Sequence, residues 1–285
     1  MAGPLARSLC SPRVLIALVM VLCIAGCAIF AGALAPHDPG QQNLLSILTP
    51  PAWDSDGDRA YLMGTDSLGR DVLSRLIYGA RTAMLVAFFA SLGAMIIGTI
   101  LAHISGYFGG AVDWIIGRLV DVWMSFPPVI LSLVLMVGLG VGLRNVILAI
   151  VLVDWTRFCR VLRSEVLIVT RNDYVAAARL LGFTHWQTIF REVLPATLPL
   201  LITLVSLEMA IAVTVEAILS FVGLSVGADQ PAWGQMIADA RQYVYQSPSN
   251  LLLPIAAIFL TVTAFNLLGD GLRRTLDVRL AETGR

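Results

Sequence analysis

The chain of 285 residues is 58% hydrophobic and 13% charged, with a mean hydropathy of +0.82 and a formal net charge of zero. This is far more apolar than a soluble domain and places the chain in a bilayer, while the zero net charge offers no field to attract nucleic acid or another polyanion. All 19 basic residues are arginine; without a lysine there is no Walker A motif and no Schiff-base chemistry, so any ATP that drives this protein binds another subunit.

In chain order, Arg7 and Arg13 mark a short N-terminal segment, 1–13, before an uncharged run at 14–36. That run is long enough for a hydrocarbon core needing about 20 apolar residues, and gives the first span. Ile24-Ala25-Gly26-Cys27 has the look of a lipoprotein cleavage box, but apolar sequence continues through Leu34 and more membrane-like sequence follows, which favours a span over a signal peptide. Residues 37–81 are a polar excursion, punctuated by prolines and by Asp54, Asp56 and Asp58. At its end Val72, Leu73, Leu76, Ile77 and Ala80 share a helical face, which predicts a helix lying along the interface.

The second span is expected at 82–103, where Ala87, Ser91, Ala94, Gly98 and Ala102 form a stripe of small residues suited to close packing against a neighbouring helix of the same chain. His103, at its end, reads as a snorkelling or hydrogen-bonded histidine. The third span, 119–141, contains Pro127-Pro128 and therefore a kink, with Arg118 and Asp121 spaced to pair at the membrane edge. The fourth, 143–163, is interrupted by Asp154 and followed by Arg157, Arg160 and Arg163 at helical spacing, as in a long helix emerging into the cytoplasm. An intramembrane Asp is expensive, and Arg157 is placed to neutralise it.

The segment 171–195 is the longest polar-flanked stretch between two spans. Ala176, Ala177 and Ala178, then Gly182, then Leu194-Pro195 read as a helix, a glycine turn, a second short helix and a proline stop: a helix-turn-helix with a smooth alanine face for a partner. The fifth span, 197–222, holds Glu208 and Glu216, which with Asp154 are candidate pathway carboxylates that face protein or water. A polar loop is expected at 225–250, a sixth span at 251–269 and a tail at 270–285. The cysteines Cys10, Cys23, Cys27 and Cys159 have no metal-ligand spacing to histidine and read as free, packed thiols. His37, His103 and His185 belong to no nucleophile motif, and no His-Glu-x-x-His occurs, so no hydrolase or metal site emerges.

The spacing of Ala176, Ala177, Ala178, Gly182, Glu192, Leu194 and Pro195 resembles the cytoplasmic loop of the permease subunits of bacterial ABC importers, Glu-Ala-Ala, three residues, Gly, nine residues, Ile-x-Leu-Pro. Ala176 stands at the usual Glu and Glu192 at the usual Ile. Gly64 to Arg81, Glu216 to Leu224 and Phe265 to Arg273 further resemble the dipeptide, oligopeptide and nickel branch of that family, with Ala232-Trp233-Gly234 where Ser-Trp-Gly is usual and Val278 in place of a usual proline. The resemblance implies an all-α membrane protein of six transmembrane helices with a cytoplasmic coupling loop, of the type I importer kind. It implies as partners a second, related but different permease chain, two ATPase subunits that hold ATP and magnesium, an extracytoplasmic binding protein and the bilayer, with no nucleic acid.

Orientation follows from the arginines. With the N-terminus inside, thirteen of the 19 fall in inner segments, which puts both termini and the 171–195 loop on the cytoplasmic side, and the resemblance implies that the membrane is the inner membrane of a bacterium. The resemblance implies a small peptide as cargo, with nickel or a nickel chelate as the alternative; a proton-coupled carrier or channel using Asp154, Glu208 and Glu216 is the reading from a different class.

Overall fold

The computed structural model describes residues 12–227 and 230–282; Arg7, Cys10 and Arg285 lie outside the described residues. Among the described residues all regular structure is helical, apart from one bridge between Thr65 and Asp71. Helix α1 (Pro12–Ile29) and the single turn α2 (Ala31–Leu34) lead into an irregular stretch at 35–71. That stretch is tied down by polar contacts: the His37 amide donates to Ser74 Oγ at 3.0 Å, Arg75 Nη1 to the Pro39 carbonyl at 3.3 Å, and Asn250 Nδ2 to the Thr65 carbonyl at 2.9 Å.

Helix α3 (Val72–Phe108) is the centre of the bundle. It starts because the Asp71 carboxylate accepts the Ser74 amide at 2.9 Å, a side-chain N-cap, and it ends at Gly109, whose φ of 64° breaks the helical path. Its 37 residues run without interruption, so no separate interfacial helix precedes the span expected at 82–103. Of the face expected to rest on the interface, Val72 and Ala80 are buried and Leu73, Leu76 and Ile77 half-buried within the protein, and the neighbouring Arg75 is buried too. Asp66 Oδ2 lies 3.6 Å from the Arg75 Nε and partly offsets this burial, while the Arg75 Nη2 is buried without a hydrogen-bond partner.

Helices α4 (Gly110–Met124) and α5 (Pro128–Leu139) are one broken run, bent by 86°. The break is sharper than the kink expected from Pro127-Pro128, because Pro127 takes an extended ψ of 124° and Pro128 then opens a new helix. Helix α6 (Leu143–Val169) follows, emerging at the end that also carries Gly109. After α7 (Asp173–Leu180) and α8 (His185–Thr188) comes a π-helical turn, Ile189–Val193, that runs directly into α9 (Leu194–Phe221). Pro195 is therefore no stop. It lies within one helical path from His185 to Phe221, directly after the π-helical turn, so its ring and missing N–H are accommodated without ending the helix.

Residues 225–250, expected as a polar loop, contain α10 (Trp233–Ala240), whose Trp233, Gly234 and Met236 are buried against α3 and α9. Helix α11 (Pro248–Glu282) extends the last span through most of the expected tail. Three runs, Val72–Phe108, His185–Phe221 and Pro248–Arg273, are long and apolar enough to cross a membrane, and the bent α4–α5 pair makes a fourth. Helix α1, an apolar helix of 18 residues that includes Arg13, and α6, of 27 residues with Asp154 and four arginines, are not among these four runs and bring the long helical runs to six.

The small-residue stripe of α3 is packed against α6, as its spacing predicted. A methyl group at Gly98 would lie 2.6 Å from the Trp155 carbonyl, and one at Gly93 2.6 Å from Val151 Cγ2. Ala94 and Ala102 are buried with Trp155, Phe158 and Cys159 of α6, whereas Ala87 is buried in a cluster with Ala210 and Val213 of α9. His103 is buried too, with Nδ1 2.8 Å from the Thr99 carbonyl and Nε2 3.2 Å from Thr197 Oγ1. Of the cysteines, Cys159 is buried, whereas Cys23 is exposed on α1 rather than packed.

Candidate functional site

The segment joining α6 to α9 forms a small platform at one end of the bundle. Val175 packs with Val166, Val169 and Val193 beside Tyr107, so the face of α7 that carries Val175 and Ala178 points inward. The opposite face is outward: Ala176 and Ala177 are exposed, and one turn later Leu180 and Leu181 are 89% and 80% exposed. Of the three alanines, then, only Ala176 and Ala177 are available to a partner; Ala178 belongs to the platform's own packing. Gly182 makes the turn with φ at 88° in open space, and its amide donates to the Arg179 carbonyl at 3.0 Å.

Past the turn, Thr184 and Gln187 cap α8 reciprocally, which fixes where the second helix starts. Two aromatic contacts tie the platform to α3: Tyr107 Oη lies 3.2 Å from His185 Nδ1, and the Arg179 guanidinium lies 4.7 Å from the centre of the Tyr107 ring. Glu192 and Leu194 are half-buried and Pro195 is exposed.

Two of the three candidate pathway carboxylates come together at mid-depth of the bundle. Asp154 of α6 and Glu208 of α9 flank Arg157, with Oδ1 3.7 Å from Nη2 and Oε2 3.5 Å from Nη1. Glu216 is elsewhere. It is fully buried near the far end of α9, where its Oε1 accepts the hydroxyls of Ser220 and Ser225, the latter at 2.9 Å, and so it fastens the chain beyond α9 rather than lining a path.

Between α4 and α6 a polar groove of about 470 Å³ runs toward the platform end. Arg163 holds Asp113 there with two parallel hydrogen bonds, the Nη2 one at 2.6 Å, and Arg118 and Arg160 both reach Asp121, at 2.9 and 3.0 Å. Sequence reasoning found the Arg118–Asp121 pair but not the partners of Arg160 and Arg163, which come from α4 across the groove. It also passed over Leu180 and Leu181. The signal was present: with Val175 and Ala178 inward at i and i+3, residues at 176, 177, 180 and 181 fall on the other side.

Helices that cross the bilayer, charges held together at mid-depth and an apolar patch on a capped platform beyond the spans are the parts of a membrane transport subunit. Comparison with known proteins gives the family. The profile described as "Binding-protein-dependent transport system inner membrane component" matches residues 94–282, that of the "N-terminal TM domain of oligopeptide transport permease C" matches 11–51, and the chain belongs to this family of ABC importer permeases. It is 38% identical to the di/tripeptide transport system permease protein DppC of Pseudomonas aeruginosa, over 92% of this chain and 87% of that one. It is 41% identical to the dipeptide transport system permease protein DppC of Escherichia coli K12, over 94% and 89%. With the glutathione transport system permease protein GsiD of Pectobacterium atrosepticum the identity is 35%, over 92% and 85%. Among solved structures, the fold is similar to that of the MetNI methionine ABC transporter in an inward-facing conformation, with a TM-score of 0.59 at 19% identity, covering 72% of this chain and 97% of that one.

Proposed function

We propose that this chain is one permease subunit of an ATP-driven importer that moves small peptides across a bacterial inner membrane, with residues 171–195 as the surface on which an ATPase subunit docks. The observation that carries the reading is the platform. Leu180, Leu181 and Ala177 form an apolar patch outside the apolar spans, on a helix whose other face is locked into the protein, and such a patch is a docking surface. The chain has no lysine for a Walker A motif, so ATP and magnesium belong to that partner.

Arg171, Arg179 and Arg191 cluster on the platform, which supports a cytoplasmic location for it under the positive-inside rule. The irregular stretch 35–71 and α10 then face outward, toward a binding protein. The names of the relatives, which are permeases of dipeptide, tripeptide and glutathione systems, support peptides as cargo over nickel. Membership of an ABC importer family sets aside a free-standing carrier or channel. In this reading a second, related permease chain completes the path, and ATP-dependent closure of the ATPases favours one of two arrangements of the spans by binding it more tightly.

The test is assembly and transport. Co-expressed with its ATPase, second permease and binding-protein candidates, the chain is expected to purify as a complex whose ATP hydrolysis rises with loaded binding protein, and whose proteoliposomes take up labelled dipeptide. Purification of the chain without an ATPase, or uptake indifferent to ATP, would remove the proposal.

A further inference from the structure

The geometry points to Asp154, Arg157 and Glu208 as a subsite for the charged ends of a zwitterionic cargo, with Asp154 receiving its ammonium group and Arg157 its carboxylate. This rests on the peptide-importer reading above and says where in the path the peptide is recognised. Asp154 lies 11 residues into the 27-residue helix α6 and Glu208 lies near the middle of the 28-residue helix α9, so the cluster sits near mid-depth. Both carboxylate side chains are only 4% exposed, yet the Arg157 side chain is 35% exposed. An arginine side chain with a third of its surface open at this depth is costly to leave against hydrocarbon, so its open edge faces water or a partner subunit, as in a path.

A cleft of about 40 Å³ opens there, beneath the 86° break in α4–α5, and both Asp154 and Arg157 line it with Trp123, Phe126 and Pro128. This space takes one end group; the rest of a peptide lies beyond the open edge of Arg157. The pairing inside the cluster is loose. Its contacts of 3.5 and 3.7 Å are long beside the 2.6 Å hydrogen bond from Arg163 to Asp113, and longer than the 2.7–2.9 Å typical of a well-formed charge-assisted bond.

Glu208 also interacts directly with Asp154, and its buried Oε1 has no hydrogen-bond donor, so the three side chains act as one cluster. A cargo ammonium that takes Asp154 frees Arg157 Nη2 for the cargo carboxylate, while Glu208 retains Nη1. Each internal pair is replaced by a pair with the cargo, so no buried charge is left alone while the peptide is bound. A peptide whose amine is acetylated cannot replace the Asp154 contact, and one whose carboxyl is amidated leaves Arg157 unsatisfied. Asp154 and Arg157 touch cargo in this scheme; Glu208 is a positioning residue.

The experiment uses the full importer in proteoliposomes, at binding-protein concentrations saturated with each peptide, so that delivery does not set the comparison. The wild-type complex is expected to move a free dipeptide about tenfold faster than its N-acetyl form, the loss of one charge-assisted contact. Asp154→Asn is expected to bring the two rates within about twofold by slowing only the free peptide. Glu208→Gln is expected to slow both forms without changing their ratio. An Asp154→Asn complex that keeps the wild-type ratio, or that slows both peptides equally, overturns the subsite and leaves the importer reading standing. A wild-type complex that moves no peptide overturns the importer reading, and the subsite with it. If Asp154→Asn fails to assemble, Phe126→Cys, in a chain with its four native cysteines replaced, reads the intact cluster: free dipeptide during turnover is expected to slow modification by a water-soluble thiol reagent several-fold more than acetylated dipeptide, and equal protection overturns the proposal.

Discussion

The indole of Trp233 lies so close to Gly79 that a methyl group there would be 2.6 Å from its Cδ1, and its Nε1 donates to the Leu76 carbonyl at 3.0 Å. This contact seats α10 on the first turns of α3. Gly79→Ala forces overlap with a buried ring and is expected to destabilise the protein by about 1–3 kcal/mol. The smaller ring of Trp233→Phe is expected to recover part of that loss in the double variant, seen as a partial return of the melting temperature in detergent.

On the platform, Leu181→Asp or Ala177→Trp is expected to leave the chain folded in the membrane while an ATPase no longer co-purifies. Ala178→Trp acts differently. Its side chain points into the platform, so the expected result is a less stable or poorly expressed protein. Ala176→Glu, which gives the residue usual in the family, is expected to be neutral or to strengthen the complex. Normal ATPase capture by both Leu181→Asp and Ala177→Trp would exclude this face as the docking surface.

Gly182 offers a separate check, since space around it is open and only its φ of 88° resists a side chain. Gly182→Ala is expected to cost about 1–2 kcal/mol of local strain. Hydrogen exchange is expected to quicken across residues 173–184 while α3 and α6 stay protected; unchanged exchange would show that the turn tolerates a side chain.

The doubly hydrogen-bonded Asp113–Arg163 pair joins α4 to α6. Arg163→Ala is expected to lower stability by about 1 kcal/mol, the arginine being partly exposed, and a charge-reversed double variant is expected to restore part of it. Additive losses would show that the two residues act independently.

Topology is testable at exposed sites. Single cysteines replacing Leu45 or Tyr245 are expected to react with an impermeant thiol reagent on intact spheroplasts, and one replacing Gln187 only after lysis. Labelling at Gln187 from outside would invert the proposed orientation.

Local rules carried the sequence reading where a residue acts through its own backbone or its near neighbours. Gly182 turns because of its φ, the α3 stripe packs because its small residues repeat at helical spacing, and Asp154 meets Arg157 within one turn. The reading failed where the deciding partner is distant in sequence. Residues 72–81 were assigned to an interface because Val72, Leu73, Leu76, Ile77 and Ala80 share an apolar helical face, but Asp66 and the Pro39 carbonyl, both outside that helix, meet Arg75 inside the protein. Trp233 looked like part of a polar loop because Gly79, which makes room for it, is on another helix. Glu208 and Glu216 look alike along α9; only the fold separates the one beside Arg157 from the one held by Ser220 and Ser225. Pro195 was read as a terminator, although its ring is accommodated directly after a π-helical turn without ending the helix.

The unbroken run from His185 to Phe221 makes the platform and the mid-depth cluster two points on one lever arm. From Thr188 to Glu208 is 20 residues, a stroke length of roughly 30 Å, so a tilt of about 5° imposed at the platform swings Glu208 by roughly 2–3 Å. That travel matches the difference between a 3.5 Å contact and none. The π-helical turn at Ile189–Val193 sits at the foot of this arm, where a local change of winding would be felt as rotation along the whole shaft. On the proposed docking of an ATPase, a push on the platform would reach Glu208 along one helical path, with Pro195 and Pro199 near its foot as the points where that path bends most easily.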